Sequence, residues 1–310
     1  MPLDPLFADR LHFLSEPGAG WDSPGMAEFH KDTAEYVSPE LTIEDREIPG
    51  PQGPIPVRIY TPKVIDGGRA LVWFHGGAFQ FGDINMNEAH IVSQEMAANT
   101  GSVVINVDYR LVTADRKLPC CQIDGFAALE WVSANAASLG VDANHVFVGG
   151  ASAGACLSGG VALLARDAGI PLAGVLPIYP IAHNVVPPFH AELQSKLDQI
   201  PDALIFSHEQ TVFLNAFAVG NQLELAQSKY AFPADAKDMS GLPPFLIVNC
   251  EYDSLRASGE VYAQSLRDAG VDVSEFTQLG AVHGHLNKIP AECVSMRETL
   301  ALMEDFIRSH

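Results

Sequence analysis

Basic residues are scarce in this sequence. Its 310 residues include 18 Lys and Arg against 38 Asp and Glu, which gives a formal charge of -20 at pH 7. A charge of this sign repels phosphate backbones and anionic lipid surfaces, so it argues against a nucleic acid or a membrane as partner. Apolar residues make up 47%, a composition typical of a globular protein with a large core. The length predicts one large domain or a core domain with a smaller lid.

Long apolar runs are also missing. None approaches the roughly 20 residues that a membrane-spanning helix needs. The first residues, MPLDPLFADRLHFLSEPGAG, have neither the basic start nor the apolar stretch of a signal peptide. We therefore expect a cytoplasmic protein.

Cysteines are few, odd in number and without the spacing of a zinc site. The five are Cys120, Cys121, Cys156, Cys250 and Cys293. We expect them to be reduced and mostly buried, as small apolar side chains. The sequence predicts neither a metal nor an organic cofactor.

Short apolar runs alternate with helical stretches along most of the chain. The runs cover residues 70–74, 103–107, 146–148, 175–179 and 245–249. Apolar residues recur at helical spacing between 255 and 266 and again between 296 and 307. This alternation predicts an α/β protein with a largely parallel, doubly wound sheet. In such a sheet, ligands bind beyond the carboxyl ends of the strands.

Two segments interrupt the alternation, residues 1–45 and residues 182–235. The second is too long for a simple connection inside a compact domain, so we interpret it as an inserted cap. With 1–45 as an N-terminal cap segment, the core would consist of residues 46–181 and 236–310.

A lone serine stands among small residues in the stretch HVFVGGASAGACL, residues 145–157. One interpretation is a tight strand-to-helix turn in which Ser152 is incidental. The other is that Gly150-x-Ser152-x-Gly154 forms a nucleophile elbow, which presents a serine hydroxyl on a strained turn. A chain of this length matches the pattern by chance about one time in ten, so other residues must decide.

A nucleophilic serine requires amide donors for the oxyanion, an acid and a base. The apolar run ending at Phe74 leads into His75-Gly76-Gly77-Ala78, where consecutive small residues let backbone N–H groups point at one spot. We take Gly76, Gly77 and Ala78, together with Ala153 after the serine, as the candidate oxyanion hole. A structural turn would also use glycines, but it would not explain the histidine.

The acid and base should follow the serine in that order. Asp253 stands directly after a late apolar run, although it could simply be a negative charge near the start of a helix. The next predicted strand, 273–279, leads to His283-Gly284-His285. A His-x-His pair is also compatible with a metal, but no third ligand cluster accompanies it. Chemistry alone leaves the choice between the two histidines open.

Five stretches together resemble one protein family. They are HGGA (75–78), DYRL (108–111), GASAGA (150–155), the run from 241 to 271 and HGHLN (283–287). These stretches are similar to those of the bacterial esterases related to hormone-sensitive lipase. The resemblance implies an α/β-hydrolase fold with a helical cap, and it implies Ser152 as nucleophile, Asp253 as acid and His283 as base. It further implies homodimers formed through the last strand and helix.

The sequence departs from the family pattern at several positions. Ala78 stands where the family has a third glycine, so its backbone must adopt a conformation that glycine usually supplies, or the loop must differ. Ala151 and Ala155 flank the serine where the family has other residues, and Val112-Thr113-Ala114 replaces its usual Ala-Pro-Glu. These departures concern substrate preference more than reaction type.

We therefore expect a serine hydrolase that cleaves short- to medium-chain carboxylic esters, its small-molecule substrates, through an acyl-enzyme. An amidase or a lactone hydrolase would use the same triad, and a non-catalytic small-molecule-binding protein on this fold is a further alternative. The candidates for lining the substrate pocket are Phe79, Phe81, Phe206 and Phe213.

Overall fold

One eight-stranded sheet organises the chain, and the computed structural model describes residues 2–15, 23–220 and 228–310 of it. The strands are β1 (Leu41–Ile48), β2 (Ile55–Pro62), β3 (Ala70–Phe74), β4 (Val103–Val107), β5 (Val146–Ala151), β6 (Gly174–Ile178), β7 (Phe245–Tyr252) and β8 (Val273–Val282). Their spatial order is β1-β2-β4-β3-β5-β6-β7-β8. β2 pairs antiparallel with both β1 and β4, and all other pairs are parallel.

Helices cover both faces of this sheet. They are α1 (Pro5–Ala8), α2 (Pro24–His30), α3 (Asn87–Thr100), α4 (Cys120–Ala134), α5 (Ala136–Leu139), α6 (Ala153–Ala168), α7 (Ala191–Leu197), α8 (His208–Val219), α9 (Arg256–Asp268) and α10 (Val294–Ser309). Single 3₁₀ turns lie at Leu11–Leu14, Asp202–Leu204, Pro233–Asp235 and His285–Asn287. The predicted α/β fold is confirmed.

The core forms two layers because successive side chains of a strand point to opposite faces. In β3, Val72 and Phe74 belong to the core layer that contains residues of α4 and α6, whereas Leu71 and Trp73 belong to the layer that contains residues of α3 and α10. Every residue of β3 through β7 is buried, which explains why these strands appear in the sequence as continuous apolar runs. All five cysteines are buried free thiols, as expected.

The first two strands are not among the predicted apolar runs. Six consecutive residues of β1 are exposed, since β1 is an edge strand whose polar sequence LTIEDREI shows no apolar run. The boundary predicted at residue 45 consequently falls inside β1. In the second interrupting segment, the described residues 182–220 and 228–235 carry α7 and α8 with two 3₁₀ turns, and residues 221–227 lie outside the described residues. Within the described ranges, no helix is both long and apolar enough to cross a membrane.

Candidate active site

Three side chains predicted from the sequence meet at the carboxyl end of the sheet. Ser152 follows β5, Asp253 follows β7 and His283 follows β8. The Ser152 Oγ lies 2.9 Å from His283 Nε2, and His283 Nδ1 lies 2.7 Å from Asp253 Oδ2. In this geometry the imidazole donates from Nδ1 to the carboxylate and accepts the serine hydroxyl proton at Nε2.

Ser152 occupies a strained turn between β5 and α6. Its φ of 54° and ψ of -114° are unusual for a residue with a side chain. A Cβ at Gly150 would lie 2.4 Å from the backbone of Gly154, and one at Gly154 would lie 2.1 Å from the carbonyl oxygen of Phe74. Small neighbours are therefore required because backbone segments pass too close for any side chain. They leave the serine hydroxyl accessible to His283.

Asp253 is fully buried and is oriented by two hydrogen bonds. Its Oδ2 faces His283, and its Oδ1 accepts the Leu255 N–H at 2.9 Å. Since α9 begins at Arg256, the carboxylate also lies near the start of a helix, which is the alternative explanation for an acidic residue at this position. The contact with His283 shows that this position serves the histidine as well.

His285 lies apart from this relay. The ring is fully buried, its Nε2 lies 2.8 Å from the Thr299 hydroxyl, and its Nδ1 lies 3.3 Å from the Cys250 sulfur. Burial, together with the charge of His283, lowers the pKa of His285 to about 3. The histidine followed by glycine, His283, is therefore the one that reaches the serine.

The loop after β3 has the backbone conformation that the motif required. Gly77 has a φ of 107°, and Ala78 and Phe79 have φ values of 52° and 66°. Ala78 thus adopts the left-handed conformation expected of the missing third glycine. The loop closes on itself through the Phe81 N–H, which donates to the Gly77 carbonyl at 2.8 Å.

The candidate oxyanion donors fall into two groups. The Gly76 N–H donates to the Glu88 carboxylate at 2.7 Å, so this donor is already committed inside the protein. Among the described residues, no acceptor takes the N–H of Gly77 or Ala78. Ala153 begins α6, where the first N–H groups have no partner within the helix.

His75 and Tyr109 support the loop from beneath. The two rings stack with centroids 4.4 Å apart, and the Tyr109 hydroxyl donates to the His75 carbonyl at 2.8 Å. Burial lowers the pKa of His75 to about 4, so its ring is neutral near pH 7. This contact gives a structural reason for the histidine of HGGA and for the tyrosine of DYRL.

Sequence reasoning missed Glu88, the second residue of α3. It is 2% exposed, and its carboxylate accepts hydrogen bonds from the Gly76 N–H and from the Tyr179 hydroxyl at 2.8 Å. Burial raises the pKa of Glu88, although these donors and the nearby charge of His283 partly offset it. The available signal was one acidic residue opening an otherwise mixed helix, which is common at exposed helix starts.

The four phenylalanines proposed for the pocket occupy different environments. Phe79 lies in the core against Phe232, with ring centroids 6.2 Å apart. Phe206 lies edge-on against the ring of His283, at 5.0 Å between centroids. Phe81 and Phe213 are 65% and 71% exposed. Of the four, Phe206 is the one whose ring packs against the ring of His283.

A serine held on a sharp turn, with a histidine and a buried carboxylate behind it, is the arrangement of a nucleophilic hydrolase. A family model described as "alpha/beta hydrolase fold" matches residues 71–287. The chain therefore belongs to the α/β-hydrolase fold family.

Curated relatives and solved structures are similar over most of the chain. Carboxylesterase NlhH of Mycobacterium tuberculosis is 34% identical, with 88% of this chain and 85% of the relative covered. An arylesterase of Saccharolobus solfataricus is 32% identical, with 80% and 76% covered. The structure of a hyperthermophilic esterase from the archaeon Pyrobaculum calidifontis matches with a TM-score of 0.82 and 30% identity, covering 100% of this chain and 99% of that one.

The elbow geometry predicts a large cost for a methyl group at Gly154. The Gly154→Ala substitution places its Cβ against the Phe74 carbonyl, so we expect a loss of roughly 3 kcal/mol or more in unfolding free energy. The control is Gly169→Ala, at a φ of 71° with no heavy atom within 4 Å of the new Cβ, which should cost roughly 1–2 kcal/mol. Urea unfolding of both variants measures the difference, and equal losses would contradict the close-approach argument.

Buried histidines predict acid sensitivity. Burial lowers the pKa of His30, His75 and His183 to about 4, and that of His285 to about 3, from 6.5. Between pH 6.5 and 4 the unfolded chain therefore binds more protons than the folded one. The free energy of unfolding should therefore decrease as the pH is lowered through this window, by up to about 1.4 kcal/mol per pH unit for each histidine.

Urea unfolding of the wild type at pH 7, 6 and 5 measures this slope. The variant His183→Gln removes one of the four groups and should flatten the slope by up to one such increment. An unchanged slope in the variant would show that His183 does not contribute.

Proposed function

We propose that this chain is a serine carboxylesterase that cleaves esters of short to medium acyl length through an acyl-enzyme on Ser152. The observation that carries the proposal is the continuous Ser152–His283–Asp253 contact, with distances of 2.9 Å and 2.7 Å. Membership of the hydrolase family and its carboxylesterase and arylesterase relatives support the same reaction class.

The acylation step uses His283 as general base. As Ser152 Oγ attacks the ester carbonyl carbon, its proton passes to His283 Nε2, and Asp253 stabilises the imidazolium through Nδ1. The tetrahedral intermediate collapses, the C–O bond to the alcohol breaks, and His283 gives the proton to the departing alkoxide. Water then attacks the acyl-enzyme with His283 again as base, which releases the acid and restores the serine.

Three backbone amides would stabilise the oxyanion. We assign this role to Gly77, Ala78 and Ala153, and we leave out Gly76 because Glu88 accepts its N–H. Preorganised donors act strongly here because they need not reorient as charge develops on the oxygen. The positive φ of Ala78 supports its assignment, since it lets this alanine replace the family's glycine.

We infer the size of the substrate from the two segments that the sequence predicts as a cap. We assign the cap role to the N-terminal segment and to residues 182–235, which contain α7, α8 and Phe206. Phe206 lies against the ring of His283, so an acyl or alcohol group next to the serine would meet this aromatic side chain. A covered site with an aromatic wall favours small or medium esters over lipid droplets.

Hydrolysis of p-nitrophenyl esters from acetate to laurate tests the proposal. Wild type should hydrolyse the short chains fastest. Ser152→Ala and His283→Ala should each reduce turnover by about 10⁴ to 10⁶, because members of a triad act as a unit. His285→Ala should keep turnover per folded molecule within a few fold, although it loses its buried contacts and melts earlier.

Thermal melting of each variant separates loss of chemistry from loss of fold. Wild type without turnover on any chain length would count against an esterase. Loss of turnover in His285→Ala, with the fold intact, would count against the choice of His283 as sole base.

Two alternatives use the same site. An amidase or lactone hydrolase differs only in the leaving group, so rates on a matched ester and amide distinguish them. A small-molecule-binding protein would leave Ser152 unreactive toward an organophosphonate. We favour a hydrolase over a binding protein because both His283 and Asp253 are in place behind the serine. We favour an ester substrate because carboxylesterase and arylesterase relatives are similar over most of the chain.

Homodimers and a cytoplasmic location stay predictions. β8 lies at the edge of the sheet, and Phe276 and Leu279 on it are each 44% exposed. An exposed edge strand of this kind supports pairing with a second copy. Light scattering on the purified protein measures the oligomeric state.

A further inference from the structure

Glu88 is a buried acid outside the triad that contacts three parts of the site. One carboxylate oxygen, Oε1, accepts the Gly76 N–H at 2.7 Å, and Oε2 accepts the Tyr179 hydroxyl at 2.8 Å. The Glu88 N–H donates to the Asn287 side chain at 3.3 Å, and the Glu88 carbonyl accepts from the indole of Trp73 at 2.8 Å. Trp73 fixes Glu88 to the strand that leads into the oxyanion loop.

The contact with Gly76 places the carboxylate beside the nucleophile. A Cβ at Gly76 would lie 2.4 Å from Glu88 Oε1 and 3.2 Å from the Ser152 Cβ. A side chain at Gly76 would displace the Glu88 carboxylate, because the carboxylate and the serine approach the same backbone. A shift of Glu88 would move the loop whose next two residues, Gly77 and Ala78, we assign as oxyanion donors.

The contact with Tyr179 reaches the base. The Tyr179 ring lies edge-on to His283, with centroids 4.9 Å apart. The Tyr179 hydroxyl donates to Glu88, so the carboxylate fixes the position of the tyrosine ring that packs against the imidazole. Asn287 belongs to the 3₁₀ turn that begins two residues after His283, which adds a second link to the base.

A helix-start charge does not explain this arrangement. Acidic residues in a first turn gain from the helix dipole, but they gain it while exposed to water. Glu88 is 2% exposed, and burying a carboxylate is costly unless donors satisfy it. The Gly76 N–H and the Tyr179 hydroxyl, which donate to this carboxylate, both belong to the site.

We infer that Glu88 is a positioning residue for ester hydrolysis, which holds the oxyanion loop through Gly76 and the base through Tyr179. The inference rests on the proposed function. Glu88 does not contact the substrate in this role. It affects the rate of hydrolysis by holding the backbone amides of the loop and the Tyr179 ring in place.

The variant Glu88→Gln tests this role because its shape is conserved. A glutamine offers only one acceptor oxygen. Either its NH₂ opposes the Gly76 N–H, or its NH₂ faces Tyr179 and the tyrosine hydroxyl must turn to accept instead of donating. We expect kcat on p-nitrophenyl butyrate to fall by about 10- to 100-fold, because small displacements of catalytic groups are costly, while KM stays within about twofold. Glu88→Asp keeps both acceptor oxygens and should retain more activity than the glutamine variant.

An alkyl trifluoromethyl ketone separates positioning from general damage. Ser152 Oγ adds to its carbonyl carbon, the hydroxyl proton passes to His283, and the ketone oxygen becomes an anion in the oxyanion hole. Its affinity for Glu88→Gln should fall by about the same factor as kcat. The matching methyl ketone, which is far less prone to form the adduct, should bind as it does to wild type.

Glu95→Gln is the matched control. Glu95 lies on the same helix and also accepts a tyrosine hydroxyl, that of Tyr36, at 2.8 Å, but it does not contact the site. Its kcat and both ketone affinities should equal those of wild type. Thermal melting of all variants shows which of them are folded.

The outcomes decide separately on function and on positioning. If wild type hydrolyses no ester, the proposed function fails. If wild type is active, the positioning role is overturned by Glu88→Gln with kcat within twofold of wild type. It is also overturned if kcat falls while trifluoromethyl ketone affinity does not.

If Glu88→Gln does not fold, Tyr179→Phe tests the positioning role instead. It removes only the hydroxyl that donates to Glu88 and keeps the ring against His283. A parallel fall of kcat and trifluoromethyl ketone affinity, by about 2- to 10-fold, supports the role, and unchanged values overturn it. Where both variants fold, their effects should be less than additive, because both disrupt the same contact.

Discussion

The close passage of α6 over the end of β3 is the constraint on which the site depends. Gly154, in the first turn of α6, lies so near the Phe74 carbonyl that a methyl group would overlap it. This approach forces the chain to turn sharply at Ser152, with a positive φ that a side chain disfavours. The strain is tolerated because β3, β5 and α6 are buried and packed on both faces. It leaves the hydroxyl facing His283 rather than the core.

The same end of β3 supplies the loop that would receive the oxyanion. Here the backbone again adopts conformations that most residues avoid, at Gly77, Ala78 and Phe79. Such a loop needs support from outside it. Tyr109 holds the His75 carbonyl from one side, and the Glu88 carboxylate holds the Gly76 N–H from the other. Among the described residues, no acceptor takes the N–H of Gly77 or Ala78.

Burial also separates the histidines by role. His75 and His285 are enclosed, and burial lowers their pKa so far that both stay neutral at ordinary pH. His283, in contrast, has a carboxylate on one nitrogen and a hydroxyl on the other. The difference lies in the surroundings of three identical side chains. The chemistry of the two residues could not show whether His283 or His285 is the base, because this depends on which ring faces the serine at the end of β5.

The sequence by itself determined the α/β class and the five central strands, because buried parallel strands leave strong local patterns. It also predicted Ser152, Asp253 and His283 as the side chains that meet at the end of the sheet. It did not reveal β1, whose exposed edge has a polar sequence. It also could not reveal Glu88, which is 64 residues before Ser152 in the chain. Only the tertiary structure brought that carboxylate to Gly76 and Tyr179, since contacts between distant segments depend on how helices pack on the sheet. The hydrogen bond from the Gly76 N–H to Glu88 likewise depends on tertiary packing, so the sequence could not show that this N–H already has an acceptor.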